Sequence, residues 1–364
     1  MRILAIDIGT GTQDILLFDT QELIENSVKL VAPSPTMRVA ASIQVATARR
    51  RPVLFTGPTM GGGPCAWALE QHMQAALTAF ATPDAARTFD DDLAAVERIG
   101  VHIIGDDEAA RLQDVIRIEL GDVDLAAIRS ALTALGAEPR FDAIAVACLD
   151  HGAAPPGYSD RLFRFEHLRR VVESNNDLFA FAYRPEELPP YLTRARAATA
   201  SAMSASLPAV FLDTAPAAAL GALQDDQVAQ AEQQLVINLG NSHALAFHLR
   251  GTHIYSLFEH HTGLLESADI ESLCERLLAG TLTHEDVFEG NGHGVFYAEK
   301  VFGDKPFVAV TGPQRRKLAE SRLRPHFAVP HGDMMLSGCF GLLQAFAAKY
   351  PSQREEIEAA LAGG

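Results

Sequence analysis

The sequence predicts an α/β protein built in two related halves that face each other across a cleft. Three observations carry this. Residues 3–19, ILAIDIGTGTQDILLFD, read as an apolar strand ending in Asp7, a Gly-Thr turn and a second strand from Ile15 to Phe18. Residues 235–249 repeat the device with an apolar strand, Asn238, the turn Gly240-Asn241-Ser242-His243 and a further strand. Two copies about a domain apart point to two related halves. The run 143–148, AIAVAC, is apolar on both faces, as in a strand covered on two sides. A chain of 364 residues also exceeds the size at which a single core stops growing.

The first turn carries the most chemistry. Glycine lets a backbone approach a ligand closely. Successive amides in such a turn form an anion-binding concavity, with threonine hydroxyls as extra donors. Asp7 at the strand end suits a magnesium ion, since hard cations take carboxylate oxygen. An ordinary hairpin with a Gly-Thr turn has the same outline.

Further along, 39–48 reads as a strand and Arg49-Arg50-Arg51-Pro52 as a surface turn. Residues 53–56 form a short strand, followed by the loop GPTMGGGP and a helix from 65 to about 80. That order aims backbone amides at an anion. The loop lacks the lysine of a Walker motif and does not fit GxGxxG, so a flexible connection is the favoured reading. The polar run 82–92 is expected to lack regular structure. Short apolar units follow at 101–104, 115–120 and 141–148, with a helix over 122–135. Ligands of α/β sheets sit beyond strand carboxyl ends, which makes Asp150 and His151 site candidates.

Residues 161–174 form a charged amphipathic helix, and 194–206 a small-residue linker and helix. A buried strand at 210–212 leads into an alanine-rich helix that Asp213 or Thr214 can cap. The polar break 225–234 is the candidate boundary between halves. The third strand of the second half, 253–258, ends in Glu259-His260-His261. A strand at 307–310 precedes Thr311-Gly312-Pro313-Gln314-Arg315-Arg316, which opens a helix. The last long helix covers 334–349, and 351–364 is a charged terminal helix with a loose end.

Composition narrows the function. Thirty basic against 46 acidic residues give a net charge of −16, which argues against a nucleic-acid backbone or an anionic membrane as partner. The same charge repels free nucleotide, so a nucleotide site must supply local donors and magnesium. No apolar run spans a bilayer and no leader precedes the first strand, so a cytoplasmic protein is expected. Cys65, Cys148, Cys274 and Cys339 are scattered without a CxxC pair, which gives neither a zinc ribbon nor an iron–sulfur cluster. Seven of the 13 histidines lie between His243 and His293. His243 and His248 point to opposite sheet faces, and the neighbours His260 and His261 diverge in a strand. Solvated or hydrogen-bonding imidazoles are therefore favoured over a metal site.

In this order the pieces resemble the superfamily of acetate and sugar kinases, heat-shock chaperone ATPases and actins (ASKHA). Asp7-Ile8-Gly9-Thr10-Gly11-Thr12 is similar to its first phosphate loop, and 239–243 stands where the second belongs. Residues 213–223 and 337–346 resemble the two connecting helices, and Val310-Thr311-Gly312 the adenosine motif. The likeness covers essentially the whole chain. Two positions depart from the pattern: Asn238 where the second loop has an aspartate, and Pro313 where the adenosine motif has a second glycine. More narrowly, GNSHALAF, FEHHTG, TGPQRR and PHGDMMLSGCFGLL resemble an uncharacterised ASKHA-like family labelled as pyruvate formate-lyase activating enzymes. A radical-type enzyme of that kind would need clustered cysteines.

The resemblance implies an α/β fold of two ribonuclease H-like (actin-like ATPase) domains with mixed sheets around a nucleotide cleft. It divides the chain into a first lobe, 1–223, a second lobe, 224–341, and C-terminal helices, 342–364, that return to the first. It implies ATP and Mg2+ as cofactors. Gly9, Thr10, Gly11, Thr12, Gln13, Gly240, Asn241, Ser242, His243, Thr311, Gly312 and Arg315 would surround the nucleotide, with Asp7 on the metal. The expected function is ATP hydrolysis or phosphoryl transfer to a small metabolite, where positioning and electrostatics do most of the catalysis. Asp150 is the candidate base and Glu259 the second. The alternatives are a nucleotide-dependent switch acting on a protein partner and a histidine-carboxylate metalloenzyme on the same scaffold. A homodimer is compatible with either.

Overall fold

The computed structural model describes residues 1–203, 207–303 and 305–363. The end of the small-residue stretch, 204–206, and the last residue of the terminal helix segment lie outside the described residues. Sixteen strands occur among those described: β1 (Arg2–Ile8), β2 (Thr12–Asp19), β3 (Val28–Pro33), β4 (Val53–Thr56), β5 (Ala79–Ala81), β6 (His102–Ile103), β7 (Ile116–Glu119), β8 (Ala143–Cys148), β9 (Ala182–Tyr183), β10 (Ala209–Asp213), β11 (Gln234–Leu239), β12 (His243–Arg250), β13 (His253–His261), β14 (Gly294–Tyr297), β15 (Phe307–Thr311) and β16 (His326–Phe327). They form mixed and parallel sheets packed with helices, an α/β architecture.

Two six-stranded sheets share an order over five strands, β3-β2-β1-β8-β10 in one and β13-β12-β11-β15-β16 in the other, with β9 and β14 added at opposite edges. The first runs β3-β2-β1-β8-β10-β9 and the second β14-β13-β12-β11-β15-β16. In each, an antiparallel meander ends on a central strand that pairs in parallel with the next, β1 with β8 and β11 with β15. The hairpin turns after β1 and β11 therefore open at the carboxyl ends of corresponding strands. Between the sheets pass the helices Thr214–Ala222 and Ser337–Lys349, both almost wholly buried. One apolar core, with Ala145, Leu212, Ala217, Phe247, Leu257 and Phe346, runs continuously from one sheet through these helices to the other. Helix Ser337–Lys349 packs on β1, β8 and β10, and residue 341 lies inside it.

A third sheet, β6-β5-β4-β7, is wholly parallel and has its own core around Phe55, Leu69 and Ile118. It was not expected from the sequence. Residues 39–48, read above as a strand, belong to the helix Pro35–Ala48. The Ser34 hydroxyl accepts from the Met37 amide and Pro35 occupies the first turn, both helix-start signals. Val39, Ala40, Ile43 and Ala46 then bury one stripe at helical spacing. The helix expected over 65–80 stops at Gln74, and Ala79–Ala81 becomes β5. The polar run 82–92 holds one helical turn, Pro83–Ala86. β13 continues through His261, so Glu259 sits within a strand rather than beyond its end.

No helix among the described residues is long and apolar enough to cross a membrane.

Candidate functional site

A cleft of about 700 Å³ opens at the carboxyl edges of all three sheets. The turn after β1 contributes Gly9 and Thr10, and the loop after β4 contributes Thr59 to Gly63. The polar run after β5 brings Arg87 to Asp92. The segment after β8 brings Asp150 and His151, and the second six-stranded sheet supplies Ser242, His243 and His261. The glycine-rich loop at 57–64, set aside above as a connection, is thus a wall of the cleft. Parallel sheets hold ligands at this edge because their helix starts and turns converge there. Trp67, 60% exposed, stands at the rim on the helix Pro64–Gln74. The charges lining the cleft are mixed. Arg194 is fixed on Asp122 through Nε at 2.8 Å and Nη2 at 3.1 Å, and donates to the Leu149 carbonyl at 2.7 Å.

The two hairpin turns touch each other. Ser242 Oγ donates to Thr10 Oγ1 at 3.0 Å, and a side chain at Gly11 would collide with the Asn241 amide. Each turn is tight, with the Gly9 amide on the Thr12 carbonyl and the Gly240 amide on the His243 carbonyl, both at 2.9 Å. Thr12 Oγ1 donates to Asp14 at 3.5 Å, whereas Gln13 is buried and donates to the Asp122 carbonyl at 2.9 Å. Beside the second turn, Gln314 Nε2 reaches Asn241 Oδ1 at 3.4 Å. Gly312 (φ 97°) approaches the Leu239 carbonyl so closely that a Cβ would strike it. Thr311 is buried and donates to Ser337 Oγ at 3.1 Å, and Arg315 folds back onto the Gly312 carbonyl at 3.3 Å.

Asp7 is buried at the end of β1, against the start of helix Ser337–Lys349 and below the turn residues that line the cleft. Thr214 Oγ1 donates to it at 3.1 Å, and a Cβ on Gly338 would collide with its carboxylate. Its partner across the hairpin is Asp14. Burial pushes Asp7 up to about 7; burial, with the Asp7 charge behind it, pushes Asp14 to about 8. Asp14 Oδ1 is buried with no hydrogen-bond partner among the described residues.

Both carboxylate oxygens of Asp150 accept backbone amides, Oδ1 from Gly152 at 2.8 Å and Oδ2 from Ala195 at 2.9 Å. Burial raises its carboxyl to about 6 against the pull of those two amides. Glu259 is fully buried and takes a hydrogen bond from Arg164 Nε at 3.2 Å. Burial holds its carboxyl at about 7, with the Arg164 charge opposing. Arg164, itself fully buried, also pairs with Asp213 and donates to the Asp150 carbonyl at 3.2 Å. The guanidinium therefore ties β10 of one sheet to β13 of the other.

The histidines correct the expectation drawn from their spacing. His151, His243 and His293 bring one ring nitrogen each to within 4.8 Å of one another. His151 Nε2 and His293 Nε2 are 3.3 Å apart. The ring of His261 stands 5.0 Å from that of His243 and 4.8 Å from that of His293. Burial lowers all three imidazoles, His151 to about 3, so they are uncharged at neutral pH. The pairs considered from sequence, His243 with His248 and His260 with His261, do diverge: His248 turns to Gln233 at 3.2 Å. The cluster draws its members from three separate segments, which pairwise spacing could not show. The density of histidine between residues 243 and 293 was the signal available.

The profile of the family described as "Putative pyruvate format-lyase activating enzyme (DUF1786)" matches residues 60–317. The chain belongs to this family. No curated protein matches the sequence. Among solved structures it is similar to the ROK hexokinase from Thermus thermophilus, with 14% identity and a TM-score of 0.24, over 70% of this chain and 47% of that one. It spans about half of that hexokinase. The Aquifex aeolicus PPX-GPPA enzyme is similar at 9% identity and a TM-score of 0.22, over 86% and 67% of the two chains. An exopolyphosphatase-like protein is similar at 11% identity and 0.26, over 85% and 65%.

Proposed function

We propose that the protein is an actin-like, ASKHA-type nucleotide-binding protein that hydrolyses MgATP or transfers its phosphoryl group to a small metabolite in the cleft. In this reading the two six-stranded sheets belong to two ribonuclease H-like lobes, 1–223 and 224–341, with 342–364 returning to the first. One observation carries it: two sheets with the same order over five strands open glycine turns at equivalent strand ends, and those turns meet face to face.

The residues fit a divalent cation below the first turn. Two carboxylates, Asp7 and Asp14, face each other there, and one oxygen of the pair lacks any partner among the described residues. Magnesium there would neutralise the acidic pair and the charge of the phosphates. Asp7 would hold it, with Asp14 behind. The Gly9–Thr12 and Gly240–His243 turns would offer amides and hydroxyls to phosphate oxygens. Asp150 faces the cleft, and each of its oxygens keeps a second lone pair beyond its amide bond. With a carboxyl near 6 it is poised to accept a proton close to neutral pH. The buried, arginine-bound Glu259 would act by fixing Arg164.

A second reading, a nucleotide-driven switch, is favoured by the contact between Thr10 and Ser242. Phosphates entering between the turns must break it, so binding and lobe opening are coupled. Calorimetric titration with ATP tests the common core of both. Affinity should require magnesium in the wild type and be lost in Asp7→Asn. Equal affinity with and without magnesium in both proteins would overturn the assignment; single-turnover hydrolysis then separates enzyme from switch.

A further inference from the structure

We propose that His151, His243 and His293 form a transition-metal site for a zinc-class divalent cation, joining the two lobes and keeping one coordination position open to the cleft. The inference goes beyond the nucleotide reading and does not depend on it. Three imidazoles with converging nitrogens are the donor set that zinc and similar borderline cations favour over magnesium. Zinc–nitrogen bonds of about 2.05 Å at tetrahedral angles place neighbouring ligand nitrogens roughly 3.3 Å apart. His151 Nε2 and His293 Nε2 stand at 3.3 Å. The third nitrogen needs only a small ring movement from within the 4.8 Å envelope.

Hydrogen bonding alone does not account for the cluster. One N–H···N bond between His151 and His293 satisfies that pair. It leaves His243 Nε2 and His293 Nδ1 buried without partners among the described residues. An unmade bond at a buried polar atom is unfavourable, and a cation at the centre removes the first of these. His293 is fully buried behind the cleft wall, whereas His151 and His243 border the cleft. Three protein ligands with the remaining position facing a cavity is the arrangement of catalytic rather than structural zinc. His261, also on the cleft wall, stands beside that position.

The ligands come from both lobes. His151 follows β8 of the first sheet, while His243 begins β12 and His293 immediately precedes β14 of the second. Bound metal would therefore hold the mouth of the cleft closed and present a Lewis acid, with a bound water, to an anionic substrate beside Gly9 and Thr10.

The test uses the full chain, stripped with a chelator and titrated with zinc and then cobalt, without magnesium or nucleotide. One equivalent of zinc and the strong visible absorption of tetrahedral cobalt are expected. Losing a second-shell partner already weakens metal binding by 10–100-fold, so His151→Gln and His293→Ala should each lose more than about 100-fold. His248→Ala, outside the cluster, should bind like the wild type. His151 sits in a loop at the cleft, so His151→Gln decides the matter if His293→Ala does not fold. Less than half an equivalent of zinc in the wild type, or wild-type affinity in folded His151→Gln, would overturn the proposal. Because no nucleotide is present, that result leaves the magnesium-nucleotide reading standing, and loss of ATP binding in Asp7→Asn leaves the zinc site standing.

Discussion

At one end of their interface, its base, the two six-stranded sheets are joined by two helices that cross backbone to backbone, whereas at the mouth of the cleft they meet through polar side chains. In the helices Thr214–Ala222 and Ser337–Lys349, a Cβ on Gly221 would strike the Ser337 carbonyl and one on Gly341 the Ala217 carbonyl. Close packing of this kind has no second arrangement nearby. At the mouth the contacts are the Thr10–Ser242 hydroxyl pair, the histidine cluster and, deeper, Arg164 between Asp213 and Glu259. Polar contacts near water exchange for solvent with little net change. The contrast predicts where motion belongs: the base is expected to act as a pivot and the outer mouth as the part that opens.

The largest expected effect lies in the buried part of the mouth. Arg164→Met leaves Asp213 and Glu259 without their shared cation in a site closed to water. Breaking a buried pair this way destabilises by about 3–5 kcal/mol, read as a lower denaturant midpoint. A wild-type midpoint would mean that this guanidinium does not join the lobes, and the mouth would then have no rigid part.

Next comes the pivot. Gly341→Ala forces the crossing helices apart, and overpacking of this sort is unfavourable by up to about 3 kcal/mol. If the variant melts with the wild type, the helices slide and the pivot is not fixed. The smallest effect is expected from Ser242→Ala, which removes one partly exposed hydroxyl bond worth about 0.5–1.5 kcal/mol. Should Ser242→Ala prove more damaging than Gly341→Ala, the contrast between base and mouth is reversed.

What could be read beforehand follows from the range of each interaction. β1, β2, β8, β11 and β12 were legible because each is a run of apolar residues bounded by a turn, a property of neighbours in sequence. The helix Pro35–Ala48 was missed because Val39–Ala48 mixes β-branched residues with alanine, while its signals, Ser34 and Pro35, precede that window. Residues 53–56 were read as a strand and 101–104 and 115–120 as apolar units, but β5 and the assembly into the parallel sheet β6-β5-β4-β7 were missed because its strands have two to four residues each, too short to show a period or a partner. In the site, the two turns were visible as glycine patterns, but their contacts, Ser242 on Thr10 and Asn241 against Gly11, depend on how the sheets face each other. The double amide bond at Asp150 joins it to residue 195, 45 positions away, and the histidine cluster spans 142 positions. No local pattern encodes either.

Trp67 has a practical consequence. It is the single tryptophan of the chain, placed on the cleft rim and largely exposed to solvent. Excitation at the red edge of the protein absorption band therefore addresses one indole, and its emission reports one place. A ligand that covers the ring will move that emission to shorter wavelength, whereas opening of the cleft will leave it in water. The molecule thus carries its own optical probe, able to time the entry of a nucleotide, a metal or a metabolite without any attached label.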